Sequence, residues 1–318
     1  MGTDEELLTR HLRYESPEDG ISEEFHQLSL GLGRTIAVLT RPLRQASSLA
    51  WVICHSYGME QLHLARHDAI VARAMGAAGF PVLRFHGQGY GDSDLGMDVV
   101  GLGSHLAEGL DAVEWMGGQD GVERVGVMGA RFGGTVAALI AARRQLPCLT
   151  VWEPVVRGSQ YIREILRSRG LAEIAGGKGG DVATEIEHER RDLVERGWTD
   201  IKGFPLTKAA YDEISAVDLT RDVDRWTGAA LVVGASRTGK ASPSVARLAQ
   251  HLESIGARCD LEIITDRFAA QFGSFRYQTI DGGMAKRDTQ LALNGSMALA
   301  TVAWALRQAE RPAEEVRG

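Results

Sequence analysis

An arginine occupies the position where the sequence most clearly predicts an exposed functional side chain. The segment VGVMGARFGGTVAALIA (125–141) changes from a continuous apolar run to a helical pattern. Gly129, Gly133 and Gly134 would let the chain turn sharply from strand to helix and expose Arg131 at the carboxyl edge of a sheet. A guanidinium cannot attack a carbonyl, but it can hold a carboxylate or phosphate through two parallel hydrogen bonds.

Two roles for Arg131 remain open from the sequence. At a helix N-terminus, beside free backbone N–H groups and the positive end of the helix dipole, it would form an anion site. Alternatively, it forms a structural ion pair with Glu153, at the end of the next predicted strand, or with Asp92 or Asp94. The two roles are compatible if an anionic ligand displaces the carboxylate that pairs with Arg131.

Two loops after predicted strands add polar side chains to the same edge: His55, Ser56 and Tyr57 in the first, and His86, Gln88, Tyr90 and Asp92 in the second. His86 near a carboxylate could exchange protons at neutral pH and so suits general acid–base catalysis. The alternative is a histidine that anchors its loop by hydrogen bonds. Ser56 and Cys54 are weaker candidates for a nucleophile, because no Ser-His-acid order accompanies them.

A separate signal resembles a phosphate-binding loop. GASRTGKAS (234–242) has the glycine and lysine spacing of a P-loop, and Asp266 ends the next predicted strand. Ala241 replaces the hydroxyl that would bind magnesium, and most of the chain precedes the motif, so nucleotide binding is only a minor alternative. A weaker version is an anion contact by residues of this loop: Ser236, Arg237 and Lys240.

No cofactor or metal is expected. Gly87, Gly89 and Gly91 do not have the spacing of a dinucleotide fingerprint. His63 and His67 lie one helical turn apart, but the first is not followed by Glu, so they fail the metalloprotease pattern. We predict a solvated helix face there.

Buried strands that alternate with helices would position these side chains. Continuous apolar runs predict strands, and their alternation with helices indicates a parallel sheet covered on both faces. The predicted strands span 49–55, 81–86, 123–129, 148–154, 229–235 and 260–266, after an antiparallel hairpin formed by FHQLSL and GRTIAVLTRP. The alternation breaks from Val155 to about Thr220, where the chain is charged, contains Gly-Gly-Lys-Gly-Gly (176–180) and lacks strand signals.

The predicted organisation is therefore an α/β core with an inserted helical cap over the carboxyl edge of the sheet. Its parts are a polar arm (1–22), the core (23–154 and 223–310), the cap (155–222) and a polar tail (311–318).

Over residues 24–309 the chain resembles the α/β-hydrolase superfamily. CHSYGME (54–60) is similar to the oxyanion loop of that superfamily, RFHGQGYGDSD (84–94) to its Gly-rich loop, and 125–141 to its nucleophile elbow. The runs VWEPVVRGSQYIREILR (151–167) and GFPLT (203–207) resemble a serine-aminopeptidase-like, or exosortase-associated, branch. The resemblance implies a mostly parallel sheet flanked by helices, and it implies that His55 orients the oxyanion loop.

The chain departs from that superfamily at all three members of the triad. Arg131 stands at the nucleophile position, and the loop after AALVVG, where the acid is expected, carries no carboxylate. No histidine follows His251, so the general base is missing as well. A conventional Ser-His-Asp hydrolase is not expected.

Composition limits the partners. The chain has 318 residues and a net charge of −7, so a broad basic face for nucleic acid is not expected. No run approaches 18 apolar residues, and the N-terminus lacks an apolar signal region, which favours a cytoplasmic protein without membrane contact. The three cysteines (54, 148 and 259) are predicted to be reduced thiols in or beside strands. A homo-oligomer is compatible with the sequence.

Two functions follow from these observations. In the first, an enzyme acts on a small acyl, carboxylate or phosphate ligand without a serine nucleophile, by noncovalent hydrolysis, lyase chemistry or cyclisation. Arg131 would hold the anion, backbone N–H groups of 56–58 and Phe132 would polarise a carbonyl, and His86 or Asp92 would move protons. In the second, a catalytically silent protein of the same fold binds a ligand or a partner protein.

Overall fold

The computed structural model describes residues 12–175, 182–265 and 285–310. Its strands are β1 (Arg13–Ser16), β2 (Ile21–Leu30), β3 (Gly33–Pro42), β4 (Leu49–Cys54), β5 (Val82–Phe85), β6 (Arg124–Ala130), β7 (Cys148–Trp152), β8 (Trp198–Ile201), β9 (Phe204–Thr207), β10 (Ala229–Ala235) and β11 (Arg258–Ile264). Its helices are α1 (Met59–Ala77), α2 (Leu102–Gly117), α3 (Phe132–Arg144), α4 (Gly158–Ala175), α5 (Val182–Glu195), α6 (Lys208–Ala216), α7 (Leu219–Asp222), α8 (Pro243–Ser254) and α9 (Ala285–Ala309).

One sheet of nine strands, in the order β1-β2-β3-β5-β4-β6-β7-β10-β11, forms the centre of the molecule. The strands from β5 to β11 in that order are parallel to one another, while β1, β2 and β3 pair antiparallel at the other side. Every residue of β4 and of β7 is buried, as expected for parallel strands covered on both faces. The predicted α/β fold with a mostly parallel sheet flanked by helices is confirmed.

Two hydrophobic clusters cover the two faces of the sheet. On one face α2, α3 and α8 pack together with apolar residues of the cap, and on the other face α1 and α9 pack around Trp51 and Trp304. Because β6 lies in the middle of the sheet, its carboxyl end is enclosed by the loops that follow β4 and β7. This placement puts Arg131 at the centre of that edge.

The structure differs from the predicted organisation in two places. Residues 13–16 of the predicted polar arm form β1, an exposed edge strand whose polar composition gives no apolar signal. The segment predicted as a helical cap (155–222) contains the hairpin β8–β9, although we predicted helices alone. Its turn is Lys202-Gly203 with both φ angles positive, a conformation that type I′ turns need and that Lys-Gly signals less clearly than Asn-Gly.

Other predicted segments lie partly or wholly outside the described residues. They include the Gly-rich loop 176–180, Asp266 and the tail 311–318. Within the described ranges, every helix is too short or too polar to cross a bilayer.

Candidate functional site

Arg131 stands at a sharp turn between β6 and α3, in a backbone conformation that is unusual for a residue with a side chain. Its φ is 50° and its ψ is −121°. The turn is held by hydrogen bonds from the Arg131 N–H to the Trp152 carbonyl (2.9 Å) and from the Val155 N–H to the Arg131 carbonyl (3.2 Å). Positive φ at a non-glycine residue costs energy, and residues held in strained conformations cluster at functional sites. The predicted strand-to-helix elbow is therefore present, with an arginine at its tip.

The guanidinium of Arg131 bonds to two carboxylates. Its Nε donates to Oε1 of Glu60 (3.0 Å) on α1, and one Nη donates to Oε2 of Glu164 (3.0 Å) on α4. The side chain is 9% exposed and lies 5.8 Å from the centre of the Tyr161 ring. Burial disfavours its charge, but the charges of Glu60 and Glu164 outweigh burial and raise the pKa of Arg131 above its usual value. The cation is thus held between α1 and α4.

Glu60 joins three separate segments of the chain. Besides the elbow, its carboxylate accepts hydrogen bonds from the hydroxyl of Tyr161 on α4 (2.9 Å) and from the hydroxyl of Ser56 in the loop after β4 (2.8 Å). Burial and the Glu60 charge raise the pKa of Tyr161 well above its usual value, so that this hydroxyl remains a donor. We call these five hydrogen-bonded residues the elbow cluster: Ser56, Glu60, Arg131, Tyr161 and Glu164.

The predicted partners of Arg131 bond to other groups. Glu153 accepts from the Ala235 N–H (2.6 Å), and it thereby links the loop after β7 to the loop after β10. Burial raises the pKa of Glu153, while the charge of Arg131 lowers it. Asp94 pairs with Arg34, and Asp92 approaches His86. The prediction considered only residues near strand ends and so missed the hydrogen-bonded partners, which lie in the first turn of α1 (Glu60) and the second turn of α4 (Glu164).

In the loop after β4, backbone N–H groups that would have to be free to polarise a substrate carbonyl already donate within the protein. The Ser56 N–H donates to Oε1 of Gln61 (3.1 Å), and the Gly58 N–H donates to the hydroxyl of Tyr90 (2.6 Å). Two of the backbone donors predicted for carbonyl polarisation are therefore occupied within the protein. Ser56 Oγ donates to Glu60, and burial raises the pKa of the Cys54 thiol to about 12, so neither side chain is poised as a nucleophile.

His55 lies in a buried pair beneath this loop. Its Nε2 is 2.7 Å from Oε2 of Glu108, and its Nδ1 is 3.1 Å from the Ser56 carbonyl. The ring is 4.3 Å from that of His105. Burial and the neighbouring His55 lower the pKa of His105 to about 4. His55 thus contacts the loop that the superfamily resemblance says it should orient.

His86 and Asp92 form a pair at the surface. Nδ1 of His86 is 3.3 Å from Oδ2 of Asp92 and accepts from the Asp92 N–H, also at 3.3 Å. Both side chains are open to solvent. The geometry lets Nδ1 accept a hydrogen bond when the ring is neutral and donate to the carboxylate when the ring is protonated.

Aromatic side chains fill the space next to the elbow cluster. Phe132 is buried and stacks on Tyr161, with ring centres 5.6 Å apart and planes 8° apart. Tyr57 meets Phe132 edge-on at 5.9 Å, and Tyr90 stacks on Phe204 of the cap hairpin at 5.7 Å. These predicted ligand contacts are, in the structure, packing contacts within the core and between the core and residues 155–222.

Residues of the loop after β10 bond to one another and to the end of β11. Ser236 hydrogen-bonds to Thr238, and its N–H donates to the Ile264 carbonyl. Arg237 and Lys240 are exposed. Among the residues the structure describes, no group of three His, Cys, Asp or Glu side chains could hold a metal ion. His67 is buried against Trp152, so the predicted solvated face is wrong at that residue.

Sequence reasoning thus placed Arg131 and Ser56 in one cluster but missed Glu60, Tyr161 and Glu164. Glu60 lies in the first turn of the helix that follows β4, the strand beside β6, so it is the order of strands in the sheet that brings it to the elbow. Tyr161 and Glu164 are three residues apart and hence on one face of α4.

Comparisons with known proteins agree with this fold. The family model for X-Pro dipeptidyl-peptidase (S15 family) matches residues 36–242. The solved structure of Est1E from Butyrivibrio proteoclasticus with bound ferulic acid is 19% identical, with a TM-score of 0.56 over 81% of this chain and 100% of that chain. The thermophilic carboxylesterase EstE1, cloned from a metagenomic library, is 17% identical, with a TM-score of 0.53 over 98% of this chain and 99% of that chain.

A bacterial brefeldin A esterase is 15% identical, with a TM-score of 0.52 over 93% of this chain and 80% of that chain. At these identities, the three esterases show a shared fold and no more. The comparison with curated proteins gives no match.

Proposed function

The chain belongs to the X-Pro dipeptidyl-peptidase (S15) family, and on that premise we propose that it binds an anionic ligand at Arg131 instead of cleaving a substrate through a serine. The observation that carries the proposal is the guanidinium at the tip of the elbow, where a nucleophile would stand, held between α1 and α4 by Glu60 and Glu164. The finer resemblance to exosortase-associated hydrolases remains a prediction.

The two carboxylates on Arg131 differ in how easily a ligand could replace them. Glu60 is 13% exposed and accepts from Arg131, Tyr161 and Ser56, so its removal would break three hydrogen bonds. Glu164 is 51% exposed. Water can solvate a half-exposed carboxylate once it is released, so Glu164 is the easier of the two to displace. A carboxylate or phosphate ligand would therefore exchange with Glu164 and leave Glu60 in place.

The occupied groups of the loop after β4 favour binding over turnover. The N–H groups of Ser56 and Gly58 already donate within the protein, and Arg131 cannot attack a carbonyl. The cluster supplies a fixed cation and a replaceable carboxylate, which suits recognition of an anion.

The Glu164→Gln variant tests the exchange directly. We expect it to bind benzoate up to about fivefold more tightly than the wild type, because the competing carboxylate is gone. Arg131→Gln should abolish binding. Melting temperature as a function of benzoate concentration measures both effects, with benzamide as the uncharged ligand.

Glu187→Gln on α5 is the control for loss of an exposed cap carboxylate, and it should bind benzoate as the wild type does. Unchanged binding in Arg131→Gln, or weaker binding in Glu164→Gln, would refute the proposed anion site. A serine-directed fluorophosphonate should leave the protein unlabelled; a labelled residue would reveal an active nucleophile and overturn the proposal.

A second candidate function is an enzyme that transfers protons without a covalent intermediate. The exposed His86–Asp92 pair favours it, since Nδ1 can change between acceptor and donor at 3.3 Å. Arg131 would hold the anionic substrate, and the outcome would be hydrolysis, elimination or cyclisation.

This second candidate requires turnover that depends on His86. If the wild type acts on acyl esters or thioesters, His86→Gln should lower kcat by about 100-fold or more, whereas His63→Gln should not. Absence of turnover, or equal kcat values in wild type and His86→Gln, would remove this candidate.

A further inference from the structure

The cap contains a pocket that is separate from the elbow cluster. It lies between α4, α5 and α6 and has a volume of about 530 Å³. Ile162, Leu166 and Ile186 give it apolar walls, and Arg163, Arg167 and Arg190 add three cations. A volume of this size is typical of small-molecule sites.

Helix α4 separates this pocket from the elbow cluster. Ile162, Arg163, Leu166 and Arg167 repeat at intervals of four residues and therefore share one face of the helix. Tyr161 and Glu164, which contact the elbow, lie on the opposite face at 100° per residue. A ligand in the pocket would thus not touch Arg131.

No ion pair joins Arg163, Arg167 or Arg190 to a carboxylate among the side chains that the structure describes. Arg163 donates from Nε to the Ser159 carbonyl (3.1 Å), which leaves its terminal nitrogens for other contacts. Among the residues whose side chains the structure describes (12–167, 184, 186–265 and 295–310), none forms an ion pair or hydrogen bond with the guanidinium of Arg167 or of Arg190. Three guanidinium groups around one pocket repel each other unless an anion lies among them.

We propose that this pocket binds an amphipathic anion, in which a carboxylate or phosphate head group carries a short apolar chain. The head group would bond to Arg163, Arg167 and Arg190, which suit the planar geometry of carboxylate and phosphate oxygens. The chain would lie against Ile162, Leu166 and Ile186. This site is additional to the one proposed at Arg131.

Thermal denaturation at low ionic strength tests the proposal with four probes: octanoate, octyl phosphate, inorganic phosphate and octanamide. We expect octanoate or octyl phosphate to raise the melting temperature in a concentration-dependent way. Inorganic phosphate should bind at least tenfold more weakly, and octanamide should have no effect. Whichever of the two amphipathic anions binds more tightly identifies the head group.

The double variant Arg167→Gln/Arg190→Gln should bind the amphipathic anion at least tenfold more weakly. The matched control is Arg143→Gln/Arg247→Gln, which removes two exposed arginines from α3 and α8 and should bind as the wild type does. Arg190→Gln alone serves if the double variant is unstable.

Three results would overturn the assignment. They are no shift with either amphipathic anion, an equal shift in the wild type and the Arg167→Gln/Arg190→Gln variant, and equal affinity for inorganic phosphate and octyl phosphate. Loss of the octanoate shift in Arg131→Gln, with the pocket variant unaffected, would place the ligand at the elbow and would also overturn it.

Discussion

Single residues at the centre of the molecule retain conformations and charges that cost energy. Arg131 has a φ of 50° and Glu153 a φ of 43°, values that cost about 1–3 kcal/mol each at residues with a side chain. Both follow strands at the carboxyl edge, β6 and β7. The strained turn survives because the hydrogen bonds around Arg131 and its ion pairs hold it in place.

Asp68 is a second costly residue, buried on α1 and outside the elbow cluster. Burial raises its pKa to about 7, against the charges of His55 and Arg84, which lower it. The folded protein thus prefers the protonated acid, while the unfolded chain ionises near pH 4. The contribution of Asp68 to the free energy of unfolding is therefore fully present below about pH 4 and is lost as the pH rises toward 7.

The Asp68→Asn variant should therefore gain stability over the wild type as the pH rises. We expect its advantage in free energy of unfolding to be about 2 kcal/mol larger at pH 8 than at pH 5, because the amide stays neutral. Urea denaturation at both pH values measures it. The exposed Asp98→Asn is the control, and an equal advantage at pH 5 and pH 8 would mean that Asp68 is ionised in the folded protein.

Prediction from the sequence reached Arg131 but not its partners. The Gly-rich strand-to-helix pattern is local, so the position of the arginine could be recognised within a few residues. Glu60 and Glu164 are 71 and 33 residues away along the chain, and both lie in helices whose orientation depends on the whole fold. No pattern within a short window could have paired them.

At the level of elements, the elbow depends on a very close approach between β4, β6 and α3. A Cβ on Gly133 would overlap the carbonyl oxygen of Cys54, and one on Gly129 would overlap the backbone of Gly133. These contacts are between backbone atoms, which cannot move aside as a flexible side chain can. The glycines therefore let the helix start directly against the strand.

Gly133→Ala should lower the free energy of unfolding by about 2–3 kcal/mol, because backbone must shift to admit the methyl group. Gly117→Ala, in α2, is the matched control. A Cβ there would lie 3.8 Å from Val125, an ordinary contact, so the change should be neutral or slightly stabilising. Chemical denaturation compares the two, and equal effects would contradict the close-packing argument.

The elements that were predictable share one property. Strands such as β4 and β10 are continuous apolar runs, and the alternation with helices identifies them without knowledge of their neighbours. The β8–β9 hairpin was missed because each strand has four residues and the turn is Lys-Gly. Strand β1 was missed because its residues are polar and exposed.

At the level of the whole molecule, the sheet order could not be derived from the sequence. The order β3-β5-β4-β6-β7 brings the loops after β4 and β6 together and places the loop after β5 beside them. The family match and the esterase folds agree with this architecture. Whether the cleft binds or transforms its ligand depends on the side chains at the elbow.

The two faces of α4 have a consequence for how the two proposed sites would influence each other. One face holds the elbow through Tyr161 and Glu164, and the other lines the cap pocket through Arg163 and Arg167. A ligand that releases Glu164 changes the restraint on the helix that forms the second site. By thermodynamic linkage, any factor by which the first ligand alters affinity for the second must act equally in the reverse direction.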